Sequence, residues 1–376
     1  MGSRRRVTVT SLLVSALAAT ALAGTAGPAP AASAVPTVSW TMTTGDQTQL
    51  ATVQPAVTFG PVRSTDYAWS AISVDDTPRF QQVRGMGAAL TESSAVLIDR
   101  LPATDRARVL QQLFDPVTGA GISVLRVPLG ASDFSLSDYT FDDMPWGQSD
   151  PTLARFSIDR DRSHILPIIV AALKINPALT VIATPWSAPA WMKTTINTHG
   201  GQLAAASEDV YARYLVRAVA DYRAAGAPVT ALTVVNEPKA SLGYSPSMTM
   251  SADQQARLVG TLLRPGLDAA GLHSVAILGY DHNWDDTTYP TTVLTGPYAA
   301  AFAGAAFHCY AGDESAQSTV AAAAPGKQVW TTECSGGSWS PDFQTNLRWN
   351  ARHMLVGAFR NLSTACLLYT SPSPRD

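Results

Sequence analysis

Ala231-Leu-Thr-Val-Val-Asn-Glu237-Pro238 and Lys327-Gln-Val-Trp-Thr-Thr-Glu333-Cys334 are two β-type runs, each closed by a glutamate. Short runs of the same kind lie at 85–89, 124–127, 180–183, 275–278 and 305–308, separated by stretches of helical period. The clearest helices are expected at 209–225 and at 252–270, the second with Leu258, Leu262 and Leu263 on one side. Alternating strands and helices in this number predict an α/β fold, a (β/α)8 TIM barrel rather than a doubly wound sheet. In a barrel the C-terminal ends of the strands surround one mouth, so the two glutamates are expected to meet there.

Composition narrows the class of function. A chain of 376 residues with 46% hydrophobic residues can bury a barrel core and a small accessory unit. The formal net charge is −3 with 15% charged residues, which offers no basic stripe for phosphates and argues against a nucleic-acid partner. A neutral, hydroxyl-rich substrate and a monomeric protein are expected. Arg4, Arg5 and Arg6 precede an apolar stretch and the small residues Ala32-Ser33-Ala34, which reads as a cleavable export signal over residues 1–34 and predicts a secreted protein. A twin-arginine route and an ordinary one both fit. No later stretch reaches the roughly 18 apolar residues of a membrane span, so no stable membrane anchor is expected.

Cys309, Cys334 and Cys366 are too few and too irregular for a disulfide framework. Cys309 and Cys334 fall near the ends of strands expected to be neighbours, which permits one bridge; two small buried thiols are the reading preferred. The six histidines are scattered and no His or Cys pair has zinc-ligand spacing, so neither a metal nor a cofactor is expected. Residues 35–80, rich in Thr, Val and Gln, are expected to form short strands of an accessory β-unit ahead of the barrel at 81–364.

Every expected strand end carries polar or aromatic residues suited to a sugar. Arg126-Val-Pro128 leads to Asp133; Thr184-Pro185-Trp186 opens a loop through Trp191; Asn236-Glu237-Pro238, Asp281-His282-Asn283-Trp284, His308-Cys309-Tyr310 and Glu333-Cys334-Ser335 follow in order. Hydrolysis of an acetal needs one carboxyl group to protonate the leaving oxygen and a second to attack or to activate water, so two rim glutamates suggest a glycosidase.

Together with the Arg84-Gly-Met-Gly-Ala-Ala-Leu-Thr-Glu92 run, these motifs resemble glycoside hydrolase family 30, the glucosylceramidase-like enzymes, over about 81–361. The resemblance implies retaining hydrolysis of β-glucosidic bonds, glucosylceramide-like or β-1,6-glucan, with Glu237 as acid/base and Glu333 as nucleophile. A β-xylanase or β-xylosidase of the same family, and an inactive carbohydrate-binding fragment, are the alternatives. Asp133 is similar to the family residue that holds a sugar hydroxyl, with a turn or cap as its other reading, and Trp186 to the one that contacts the sugar face. Asn236 is expected to bond the sugar 2-hydroxyl. His308 and Tyr310 are expected to orient Glu333 or, for His308, to serve as a satisfied rim residue. Arg126 reads equally as the group that keeps Glu333 ionised and as a structural ion-pair partner.

The chain departs from this family after Thr364. Where the family continues into an eighth strand with a Trp-Asn pair and then a C-terminal β-domain, this chain reads Ala365-Cys-Leu-Leu-Tyr-Thr370-Ser-Pro-Ser-Pro-Arg-Asp376. Ser-Pro-Ser-Pro lacks the donors of an interior strand, so 365–376 is expected to be a non-native tail, and the eighth strand to be missing from the barrel.

Overall fold

The computed structural model describes residues 35–60, 75–337 and 339–369. The expected export signal and the residues after Tyr369 lie outside these. Eight parallel strands close into a barrel: β1 (Gly85–Ala89), β2 (Val124–Pro128), β3 (Thr180–Thr184), β4 (Ala231–Thr233), β5 (Ala276–Asn283), β6 (Gly304–His308), β7 (Gln328–Glu333) and β8 (Ser363–Leu368). Among the described residues no helix is long and apolar enough to cross a membrane. The segment before the barrel contains two-residue antiparallel strand pairs, Thr37–Val38 with Val57–Thr58 and Thr41–Met42 with Thr52–Val53.

Strand alternation sorts the core into two layers. Val124, Ile182, Ala231, Leu278, Ala306, Trp330, Ala365 and Leu367 fill the barrel interior, with the large Trp330 set among small alanines. Their neighbours Leu125, Val181, Leu232, Ile277, Phe307 and Val329 point outward into the cluster shared with the helices. Two layers of opposite facing follow from the period of two along each strand.

The expected gap at the eighth strand is filled. Ser363–Leu368 pairs with β7 on one side and with β1 on the other, Ala365 opposite Gly85 and Leu368 opposite Ala88. The physical reason is that the prolines come after the strand. Ala365 and Leu367 point inward, while Cys366 points outward and its Sγ donates to the Met354 carbonyl, so the segment alternates as a barrel strand must. The open strand edges that a seven-stranded barrel would have left are therefore closed.

The helix Glu208–Ala224 matches the expected segment. The one after it starts as an α-helix at Ala252–Leu258, widens to a π-turn at Val259–Leu263 and resumes at Arg264–Ala269. Pro265 has no N–H to give to the preceding turn, which accounts for the widening. Leu258 and Leu263 remain fully buried and Leu262 packs against the same cluster.

Closure at β1 depends on glycine. A Cβ on Gly87 would lie 1.6 Å from the Val124 carbonyl oxygen, which is backbone and can move only if β1 separates from β2. Gly87→Ala is expected to cost about 3 kcal/mol of stability, measured by urea denaturation with the native chain as reference.

Candidate active site

Arg126 is the centre of the barrel mouth and is completely buried. Its Nη1 donates to Glu333 Oε2 at 2.5 Å, and its Nη2 to Asn236 Oδ1 at 2.7 Å and to Asp281 Oδ2 at 3.0 Å. One guanidinium thus ties together β2, the loop after β4, β5 and β7. Asp281 is equally buried and accepts from Thr233 Oγ1 at 2.8 Å and Thr332 Oγ1 at 2.7 Å. Burial alone would raise its pKa, but the Arg126 and His308 charges hold it well below the usual carboxylate range. With Asn236 Oδ1 taken by Arg126, the amide NH2 is the end of this side chain that remains to donate to a ligand.

Two irregularities aim the side chains. On β5, Tyr280 and Asp281 have φ of 71° and 67°, and the ladder to β6 slips by one residue there, from Tyr280 to His282. The bulge puts Tyr280 into the outer cluster and Asp281 into the mouth. On β7 the ladder slips between Thr331 and Glu333, so Thr332 and Glu333 both reach the mouth although they are consecutive. Glu237 itself has φ of 48°, an uncommon conformation for a non-glycine residue, and its N–H donates to the Asp281 carbonyl at 2.9 Å. The β-type run that begins at Ala231 accordingly leaves the ladder after Thr233 to reach this position.

The two glutamates share a histidine. His308, fully buried, bonds Asp281 Oδ1 through Nε2 at 3.0 Å and Glu237 Oε1 through Nδ1 at 3.1 Å, with Glu333 Oε1 3.8 Å from the same Nδ1. His308 was expected to orient Glu333 or to serve as a satisfied rim residue; its Nδ1 lies nearer to Glu237 Oε1 than to Glu333 Oε1. Burial works against its charge, but Glu333 and Asp281 outweigh that and raise its pKa to about 10. For Glu237, burial raises the pKa while the neighbouring His282 and His308 lower it by more, so the resting group is a carboxylate. Tyr310 donates its hydroxyl to Glu333 Oε1 at 3.0 Å and also meets Ser335 Oγ.

Cys309 and Cys334 form a disulfide, with Cα atoms 5.3 Å apart. The preferred reading as two thiols is corrected: the adjacent residues His308 and Glu333 are register partners on neighbouring strands, which brings the next pair within bonding range. The bond ties the β6 rim, with His308 and Tyr310, to the β7 rim, with Glu333.

Asp133 and Trp186 stand on the other side of the mouth, and Tyr369 lies between them. The Tyr369 hydroxyl donates to Asp133 Oδ1, and its ring stacks on Trp186 with centroids 5.7 Å apart. Trp186 is also covered by the Arg126 guanidinium, 4.7 Å from its centroid. Burial raises the Asp133 pKa to about 6, against the Tyr369 bond and with help from Glu333. All eight residues singled out in the sequence, Arg126, Asp133, Trp186, Asn236, Glu237, His308, Tyr310 and Glu333, therefore converge on one site. Sequence reasoning underweighted Asp281 and His282 and missed Tyr369. The histidine was hidden by the bulge beside it, and the tyrosine by its place in a segment set aside as foreign.

The model of the glycosyl hydrolase family 30 TIM-barrel domain matches residues 83–356. The chain belongs to that family. Among curated relatives of this family 30 chain, an endo-1,6-beta-D-glucanase of Neurospora crassa is 35% identical over 293 residues, covering 73% of this chain and 59% of the relative. The lysosomal acid glucosylceramidase of Mus musculus is 30% identical over 256 residues, covering 64% and 48%. The family 30 chain thus spans about half to three fifths of the length of these relatives. A solved endo-beta1,6-glucanase superposes with a TM-score of 0.80 at 30% identity, over 89% of this chain and 74% of the other.

Proposed function

We propose that this protein is an exported, monomeric retaining β-glycosidase that cleaves β-glucosidic bonds, with β-1,6-linked glucan as the favoured substrate. The observation that carries the reading is the pairing of Glu237 and Glu333 across His308 Nδ1. The two distances to that nitrogen keep the nearest carboxylate oxygens within about 7 Å of each other, compatible with the roughly 5 Å of a double displacement. Glu333, held by Arg126 and Tyr310, is the nucleophile; Glu237, on the more open side, is the acid/base. Asn236 offers its amide to the 2-hydroxyl, and Asp133 and Trp186 hold the rest of the sugar once Tyr369 yields Asp133. The relatives named for β-1,6-glucan cleavage support this substrate over a glucosylceramide.

An acid must deliver a proton, and the resting Glu237 has none. The proton is carried by the neighbouring imidazolium, and the His308–Glu237 pair titrates as a unit. Entry of a leaving-group oxygen at Glu237 draws that proton across the 3.1 Å contact. The sign follows: activity needs the pair protonated once, so kcat/KM falls as pH rises through its upper value. In His308→Gln the proton must reside on Glu237 alone, and the alkaline limb of the kcat/KM profile is expected to move to lower pH, with an unmoved limb counting against the shared proton.

Incubation with a 2-fluoro-glucoside bearing a good leaving group, followed by peptide mass spectrometry, tests the function. The expected result is one sugar on the Glu333 peptide. A label from the matching 2-fluoro-xyloside alone would transfer the reading to xylan, and no label from either would remove it.

A further inference from the structure

His282 has no part in the scheme above, yet it completes a group of three ligand atoms. Glu237 Oε1, His282 Nδ1 and His308 Nδ1 all lie within 4.8 Å of one another. Two of the separations are 3.1 Å, from Glu237 to His308, and 3.5 Å, from Glu237 to His282. Ligands placed tetrahedrally around zinc at about 2.0–2.1 Å are about 3.3 Å apart, so these separations straddle the tetrahedral value. His282 Nδ1 is shielded from solvent and makes no hydrogen bond.

The surroundings suit such an ion. His308 Nε2 is bonded to Asp281, and Asp281 is fixed in turn by Thr332 and Thr233. That is the carboxylate support that orients a metal-binding imidazole and leaves its other nitrogen for the ion. The bonded cluster holds the three carboxylates of Glu237, Glu333 and Asp281 against the single permanent cation of Arg126. A dication held by the imidazoles improves this balance. Two imidazoles and one carboxylate form a donor set for zinc-class ions and not for magnesium or calcium, which take oxygen ligands.

We propose that Glu237, His282 and His308 bind a transition-metal dication of the zinc class at the barrel mouth, and that the bound ion occupies Glu237 and switches hydrolysis off. The binding half stands on the ligand geometry alone; the inhibitory half rests on the glycosidase reading given above. Three protein ligands leave a fourth position open to water or to a sugar hydroxyl, so the ion competes directly with the leaving group for the acid/base.

Calorimetric titration of the full chain with zinc, with magnesium as control, needs no turnover and is decided independently of the activity. Saturable one-to-one binding of zinc and none of magnesium is expected, with His282→Asn binding zinc at least about tenfold more weakly. Because that variant could lose structure, the unmodified chain is also titrated with cobalt(II), which should develop the intense visible absorption of a four-coordinate ion. No saturable zinc binding, an unchanged affinity in a folded His282→Asn chain, or a cobalt spectrum identical to the aqua ion would overturn the site. Zinc that binds as expected while Glu333 labelling fails would remove the glycosidase reading and leave the site standing. Zinc that binds while hydrolysis continues undiminished would overturn the inhibitory half.

Discussion

Glu333→Gln is expected to reduce hydrolysis of an activated aryl β-glucoside by at least about 10⁴-fold, the scale at which a nucleophile acts, and to abolish sugar labelling. The substitution nearly preserves shape, so the barrel should survive it. The glutamine carbonyl oxygen can still accept from Arg126 Nη1 or from the Tyr310 hydroxyl, the two donors now bound to Glu333 at 2.5 and 3.0 Å. What disappears is the negative charge that, in the proposed mechanism, attacks the sugar carbon. The variant should retain its circular dichroism and denaturation midpoint within a small margin, which separates a chemical loss from an unfolded chain. Glu237→Gln, in contrast, should hurt substrates with poor leaving groups most, because only those depend on protonation. Initial rates of the two variants on aryl glucosides of graded leaving-group strength check both statements, and a Glu333→Gln chain that keeps a tenth of the activity would sink the assignment.

How much of this site could be read from the chain depends on what each residue asks of its neighbours. Arg126, Glu237, His308 and Glu333 end runs of β-type residues, and a barrel gathers strand ends, so their meeting is a consequence of topology alone. Their facing is another matter. Alternation from Trp330, which fills the interior, would turn Glu333 outward, and only the slip in the ladder before it turns the carboxylate to Arg126. The same holds at Asp281, whose bulge also frees His282 to face Glu237. A bulge is a matter of one residue in a ladder and leaves no compositional mark. The disulfide and the eighth strand were misjudged for related reasons. Cys309 and Cys334 bond because two strands are in a particular register, and Ala365-Cys366-Leu367 pairs because a closed barrel lacks one strand and this segment alternates correctly. The prolines that argued against a strand lie after it.

Arg126→Leu is expected to cost about 3–5 kcal/mol of stability, because it leaves buried carboxylates without their counter-charge. Arg126 and Asp281 are both completely buried, and Glu333 nearly so. Leucine fills part of the space but none of the three hydrogen bonds to Glu333, Asn236 and Asp281. The pH dependence identifies the cause. Asp281 has a depressed pKa in the native fold, so its ion pair contributes stability that is present above the unfolded value, about 3.9, and is lost as pH falls through the folded one. Without Arg126, only His308 and the threonine hydroxyls offset the burial of ionised Asp281, so its charge loses most of its support at neutral pH. The difference between native chain and variant should therefore be largest near neutral pH and shrink on acidification below about pH 4, as measured by urea denaturation at the two pH values. A difference that is constant with pH would mean that lost packing is the cause and not the charge. Arg126→Lys separates the structural role from the catalytic one. Lysine keeps the charge as a point on a flexible stem and cannot hold Glu333, Asn236 and Asp281 at once with a planar fork. It should recover a large part of the stability and little of the activity, because a charged mouth is enough for the fold whereas the attack proposed for Glu333 needs its oxygen held in one place.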